Sequence, residues 1–233
     1  MKLAIMQPYF LPYLGYFQVM NAVDKYIVYD DVNFIKGGRI NRNHILQNGQ
    51  PTLINLLLSK ASPNKHINEI ELLDDNVARN KLLKSFQLNY GKAPYFGEVY
   101  PILERILTYK EKNLALFLFN SFKEICSYLD IKTELILSSS LDKDCSLKAE
   151  EKVYHICKLM NASDYYNSIG GWELYSHEAF EKQGINLHFL KMNDDVTYKQ
   201  YNNEFVPNLS IVDVMMFNSV ENIKNMLTQY SLL

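Results

Sequence analysis

Residues Lys2 to Asn43 read KLAIMQPYFLPYLGYFQVMNAVDKYIVYDDVNFIKGGRINRN. Leu3 to Met6 is a short apolar run that predicts a buried strand. From Gln7 to Tyr16 the chain carries Pro8, Pro12 and Gly15. Proline fixes φ and has no N–H to donate, so this piece is expected to be a shaped loop. Phe17, Val19, Met20 and Val23 then predict a short helix, and Lys25 to Val32 predict a second strand closing on Asp30 and Asp31. Strand, loop, helix and strand in that order make a βαβ unit. Ligands of such units collect at the carboxyl ends of the strands. The Gln7–Tyr16 loop and the Asp30–Asp31 pair fall there, with Lys36, Arg39 and Arg42 just beyond.

Working outward, Thr52 to Leu58 reads as a third strand, or as half of a hairpin with Arg42–Leu46 closed by the Asn48-Gly49 turn. The stretch INEIELL, from Ile67, predicts a short edge strand. Three apolar periodicities follow: a helix from Asn76 to near Tyr90, one after Pro94 through Leu107, and one from Leu114 to Leu129. Together they predict a helical insert or cap over residues 76–130. Alternation then resumes with a strand at 133–139 and a helix started by Ser146. A strand at 164–168, a helix from Trp172 to Gln183 and a strand at 185–192 come next. Two helices, from Ser210 and over Val220–Tyr230, end the chain. The expected fold is α/β, a mostly parallel sheet opened by the N-terminal βαβ unit, in a single domain over residues 1–233.

The composition narrows the class. Nearly half of the 233 residues are apolar, ample for a core, and a net charge of −2 gives no electrostatic case for nucleic acid or an anionic membrane. Three cysteines without CxxC spacing, and a first strand that begins at once after Met1, predict a reduced cytoplasmic location. No apolar run is long enough to cross a bilayer. The 17 tyrosines suit sugar or nucleotide pockets, though core and interface uses of tyrosine are commoner.

Five stretches, QPYFLPYLGYF (7–17), YDDVNFIKGGRINRN (29–43), YGKAPYF (90–96), SDYYNSIGGWELY (163–175) and FVPNLSIVDVMMFN (205–218), resemble the WbqC-like proteins. That family is found largely in bacterial gene clusters for O-antigen and related surface polysaccharides. The resemblance implies an enzyme modifying a nucleotide-linked amino sugar, most concretely by acyl or amino-acyl (glycine) transfer to its amine. The element order also resembles nucleotidylyltransferase-like (Rossmann-like) domains, although Tyr13-Leu14-Gly15-Tyr16 stands where their two phosphate-binding histidines would be. Some ligases of that fold join a carboxylate to an amine through an acyl adenylate, which makes ATP with Mg²⁺ a candidate cofactor pair. Fold analogy does not establish that chemistry.

The candidate site residues divide by chemistry. Gln7, Tyr9, Tyr13 and Tyr16 offer hydrogen bonds and ring faces to a substrate, or else lock a loop whose aromatics fill the core. One of Asp30 and Asp31 would bind a metal, a ribose hydroxyl or an amine, while the other caps or pairs with Arg39 or Arg42. Lys36, Arg39 and Arg42 beside two glycines suggest a phosphate clamp, Arg binding phosphate through its planar fork. It is not a P-loop, since GxxxxGK[ST] is absent. Asn41 and Asn43 sit alongside, and His44 is a candidate general base. Ser168, Gly170 and Gly171 form a turn able to offer backbone N–H groups to an anion, and Asn208 is the member of the last motif best placed for ligand. No nucleophile motif and no zinc spacing is present. Two other readings stand beside the transferase: a non-catalytic sugar-nucleotide or glycan-assembly binding protein, and a glycosyltransferase in which Tyr29-Asp30-Asp31 stands for a metal-binding DxD.

Overall fold

The computed structural model describes residues 1–201 and 204–233. In chain order the first elements are β1 (Lys2–Met6), α1 (Leu14–Ala22), β2 (Lys25–Val28), β3 (Arg42–Gln47), β4 (Gln50–Asn55), β5 (Leu58–Ser59) and β6 (Glu71–Leu72). Three helices follow, α2 (Asn76–Tyr90), α3 (Phe96–Thr108) and α4 (Leu114–Leu129). Next are β7 (Glu134–Leu137), α5 (Ala149–Leu159), β8 (Asp164–Ser168), α6 (His177–Glu181) and β9 (Asn186–Met192). The chain finishes with α7 (Ile211–Phe217), α8 (Val220–Met226) and β10 (Tyr230–Leu232).

The central sheet runs β10-β9-β8-β1-β2-β7, with β10 antiparallel on an otherwise parallel sheet. Taken in chain order, its five parallel strands are arranged 3-2-1-4-5, the doubly wound order. The winding reverses between β1 and β8, so the crevice for a ligand is expected where Met6 and Ser168 end their strands.

Both sheet faces are covered, which explains why the strands read as continuous apolar runs. Successive residues serve opposite cores. Ala4, Tyr26, Val28, Tyr166 and Leu190 pack with α1, α2, α3, α4 and α7, whereas Leu3, Ile5, Ile27, Tyr165 and Phe189 pack with α5 and Phe180 of α6. Helix starts are chemically plain. Asp75, Asn113, Ser210 and Ser219 each accept a backbone N–H in the first turn of α2, α4, α7 and α8. Among the described residues no helix is long and apolar enough to cross a membrane.

Several expected elements differ. Of the two readings of residues 42–58, the hairpin is realised: β3 and β4 pair antiparallel around Asn48 and Gly49, which take φ of 50° and 75°. That handedness matches the strand twist. INEIELL supplies only β6, paired with β5 outside the main sheet, because Ile67–Glu69 turns as a 3-10 helix. The expected helix at 172–183 is two pieces, a 3-10 segment at Ile169–Leu174 and α6, separated by extended backbone at Tyr175 and Ser176. Ser146 donates to Asp144 instead of capping, and α5 begins at Ala149. The last helix stops at Met226, where Gln18 of α1 donates its amide to Met226 O and Gln229 O, and β10 follows.

Candidate functional site

Three distant stretches converge on the loop after β1. The buried Asn43 amide donates to Phe10 O at 3.1 Å and Leu11 O at 2.6 Å. Ser210 Oγ donates to Leu11 O and Ile211 N donates to Pro12 O, each at 2.8 Å. Phe10 N donates to Arg39 O, and the Tyr16 hydroxyl donates to Gln7 O at 2.6 Å. Leu11 sits at φ 45°, a left-handed backbone that these bonds hold in place. The prolines shape the loop, and the asparagine and serine fix it.

Two cavities open on either side of this loop, sharing Tyr9 and Tyr13 as a wall. One, of about 420 Å³, lies toward β9 and is lined by Gly15, Arg39, Asn43, Lys191, Asp194 and Asn208. The other, of about 440 Å³, fills the switch crevice and is lined by Gln7, Tyr29, Asn167, Ser168, Gly171 and Tyr175. The first carries two cations and faces the amino end of α1, whose positive dipole end favours anions. The second presents neutral polar groups and tyrosine rings.

Two glycines set these walls. A Cβ on Gly15 would lie 2.5 Å from the Tyr13 ring, and one on Gly171 would lie 2.7 Å from the Asn167 amide. Both positions need a side chain this small for their neighbours to stay where they are. Burial raises the pKa of Tyr9, Tyr13, Tyr29 and Tyr175, so their hydroxyls remain protonated donors at neutral pH. Arg39 Nη1 donates to His44 Nδ1 at 2.8 Å and to Asn43 Oδ1 at 3.3 Å. Partial burial, reinforced by the Arg39 charge, lowers the His44 pKa. A neutral imidazole is the form that can accept from the guanidinium.

The expected residues therefore separate. Gln7, Tyr9, Tyr13, Ser168, Gly170 and Gly171 line the crevice, and Arg39, Asn43 and Asn208 line the cationic cavity. Tyr16 also belongs to the crevice lining, at its floor, fully buried and donating its hydroxyl to the Gln7 carbonyl. Asn41 is structural, its amide donating to Leu56 O. His44 lines neither cavity and acts on Arg39 from behind. Of the three-residue clamp only Arg39 lines a cavity. Lys36 is exposed on its turn, and Arg42 leads the hairpin strand β3 opposite Asn55.

Both acids belong elsewhere. Asp30 is 1% exposed and accepts from Ser139 N at 2.9 Å and Ser139 Oγ at 2.6 Å. Asp31 pairs with Lys143 and Lys152, each at 3.0 Å, rather than with Arg39 or Arg42. Burial pushes the Asp31 carboxyl up, and the nearby Ser138, Lys143 and Lys152 pull it further down, so its pKa ends below the ordinary value. With both acids engaged, Tyr29-Asp30-Asp31 brings no carboxylate to either cavity. Among the described residues Asp194 is the one carboxylate lining them. Among those residues no group of three or more His, Cys, Asp or Glu side chains could hold a metal ion.

Asn167, Lys191 and Asp194 were missed from sequence. Asn167 falls inside a matched motif but reads as a strand residue. Lys191 and Asp194 become site residues only once β9 is known to lie beside β8.

Compared with known families, residues 7–225 match the model described as the WbqC-like protein family. The chain is 28% identical over 219 residues to a protein described as uncharacterized from Mycobacterium tuberculosis (strain ATCC 25618 / H37Rv), covering 93% of each chain. No solved structure matches.

Proposed function

The chain belongs to the WbqC-like protein family, and from that premise we propose an enzyme of bacterial surface-polysaccharide (O-antigen) synthesis. Its reaction in this reading is acyl or amino-acyl transfer to the amine of a nucleotide-linked sugar. One observation carries the reading: a cationic and a neutral polar cavity share the Tyr9–Tyr13 wall at the switch point. A nucleotide-linked amino sugar has a comparable division, a diphosphate joined to an uncharged or weakly cationic ring rich in hydroxyls. Arg39 and Lys191 take the diphosphate, with Gly15 allowing close approach to the amino end of α1. Gln7, Asn167 and Ser168 take the sugar hydroxyls. The sugar amine attacks the carbonyl carbon of the activated donor, the donor's leaving group departs, and the amine proton passes to that leaving group or to water.

Among the described residues no carboxylate lines the crevice, and Asp194 lies on the cationic cavity, largely exposed and paired with Lys191 at 3.5 Å. That favours, as the second reading, a binding protein that presents the sugar without turning it over. The test is to mix the protein with a UDP- or TDP-linked amino sugar, adding acyl-CoA or ATP with an amino acid, and to weigh the sugar by mass spectrometry. A mass gain on the amine, lost in Arg39→Ala, is expected. Thermal stabilisation by the nucleotide sugar with no mass gain from any donor would replace the enzyme with the binding protein.

A further inference from the structure

Beyond the two cavities, a third concavity of about 410 Å³ lies along the 3-10 segment after β8, lined by Ile169, Gly170, Trp172, Glu173 and Leu233. It borders both others, for Ile169 also lines the cationic cavity and Gly170 also lines the crevice. Trp172 is the only tryptophan in the chain and is 49% exposed. Its ring is braced by Phe189, at 4.9 Å and tilted 54°, and by His177, at 5.9 Å and 64°. Neither neighbour stacks flat on the indole. An aromatic ring held from the side and left half open is a platform for another flat ring. Among the described residues lining this groove Glu173 is the one with a charged side chain, which disfavours phosphate there and suits the N–H edge of a neutral base.

We infer that the Trp172 groove binds the nucleobase of the nucleotide-linked substrate, stacked on the indole, while the diphosphate lies in the cationic cavity and the sugar in the crevice. The inference rests on the nucleotide-sugar reading above and adds what that reading leaves open, the part of the ligand that the protein reads outside the reaction. Base stacking tolerates any base, so the groove selects for a nucleotide over a bare sugar phosphate more than for one base over another.

A lone tryptophan makes its fluorescence a reporter of this groove alone. The experiment titrates the protein with UDP, TDP, an amino-sugar 1-phosphate and inorganic pyrophosphate, following fluorescence and calorimetric heat together. UDP and TDP are expected to quench Trp172, and the two ligands without a base to bind without quenching. Trp172→Ala is expected to weaken UDP binding about tenfold and leave the sugar 1-phosphate unchanged, with Trp172→Phe retaining most of the affinity. Equal loss for UDP and sugar 1-phosphate in Trp172→Ala, or UDP binding without any fluorescence change, overturns the base site while the sugar reading stands. Absence of binding by all four ligands overturns both readings.

Discussion

The carboxyl edge of the sheet has two halves with similar residue types and opposite uses. On the β2–β7 side, Asp31, Lys143 and Lys152 are turned inward on one another, their side chains 12%, 1% and 9% exposed. On the β1–β8–β9 side, Arg39 and Lys191 line one open cavity walled by Tyr9 and Tyr13. Charge at a strand end is common to both, and what each charge faces decides its role. Buried charges that satisfy each other are fastening, strongly felt when one partner is removed. Charges that line space are left for a ligand.

Removing the carboxylate on the first side should give the largest effect. Asp31→Ala strands two buried ammonium groups and is expected to cost about 3–5 kcal/mol in urea unfolding. Ligand affinity of the folded fraction should stay as it was, and a loss of binding larger than the loss of folded protein would break the comparison. Arg39→Ala is the mirror case. It should change stability by no more than about 0.5 kcal/mol, yet weaken a nucleotide-linked sugar by about ten- to a hundredfold in calorimetry, since a charge-assisted contact to phosphate is lost. Gly15→Ala comes next, displacing the Tyr13 ring from the shared wall. A several-fold loss of affinity with unfolding stability kept within about 1 kcal/mol would show that the wall matters to both cavities.

The smallest expected effect separates two buried carboxylates by sign. Asp31, held by two cations, has its pKa below the ordinary value of 3.8. Its contribution is full above 3.8 and is lost as pH falls through the lowered value. Asp213 is fully buried and accepts from the neutral donors Tyr90, Tyr198 and Gln200, and burial raises its pKa above 3.8 despite them. Its contribution is therefore full below 3.8 and lost as pH rises through the raised value. Unfolding measured from about pH 3 to about pH 7 should find that Asp31→Asn flattens the acid limb and Asp213→Asn flattens the limb toward neutral. Parallel changes in the two variants would contradict the assignment.

Much of the fold could be read from local pattern. Leu3–Met6 and Tyr26–Val28 are apolar runs bounded by loop residues, and Asn48-Gly49 is a turn chemistry that admits left-handed backbone at both positions. The site was legible only where a motif stays together in space, as Gln7, Tyr9 and Tyr13 do. Asp30 and Asp31 misled because their partners, Ser139 and Lys152, lie 109 and 121 residues away. No local signal announces such distant pairings. Residues 172–183 misled for another reason: the apolar spacing suits a helix, while extended backbone at Tyr175 and Ser176 breaks it and Trp172 is left exposed. Lys191 and Asp194 acquire meaning from the sheet order alone.

The most direct test of the division is to measure binding of one UDP-linked amino sugar by calorimetry to the native protein, Arg39→Ala and Asp31→Asn side by side. Native affinity in Asp31→Asn, with at least a tenfold loss in Arg39→Ala, is the predicted result. Loss of binding in Asp31→Asn with Arg39→Ala unaffected would place the ligand on the β2–β7 side and contradict the account.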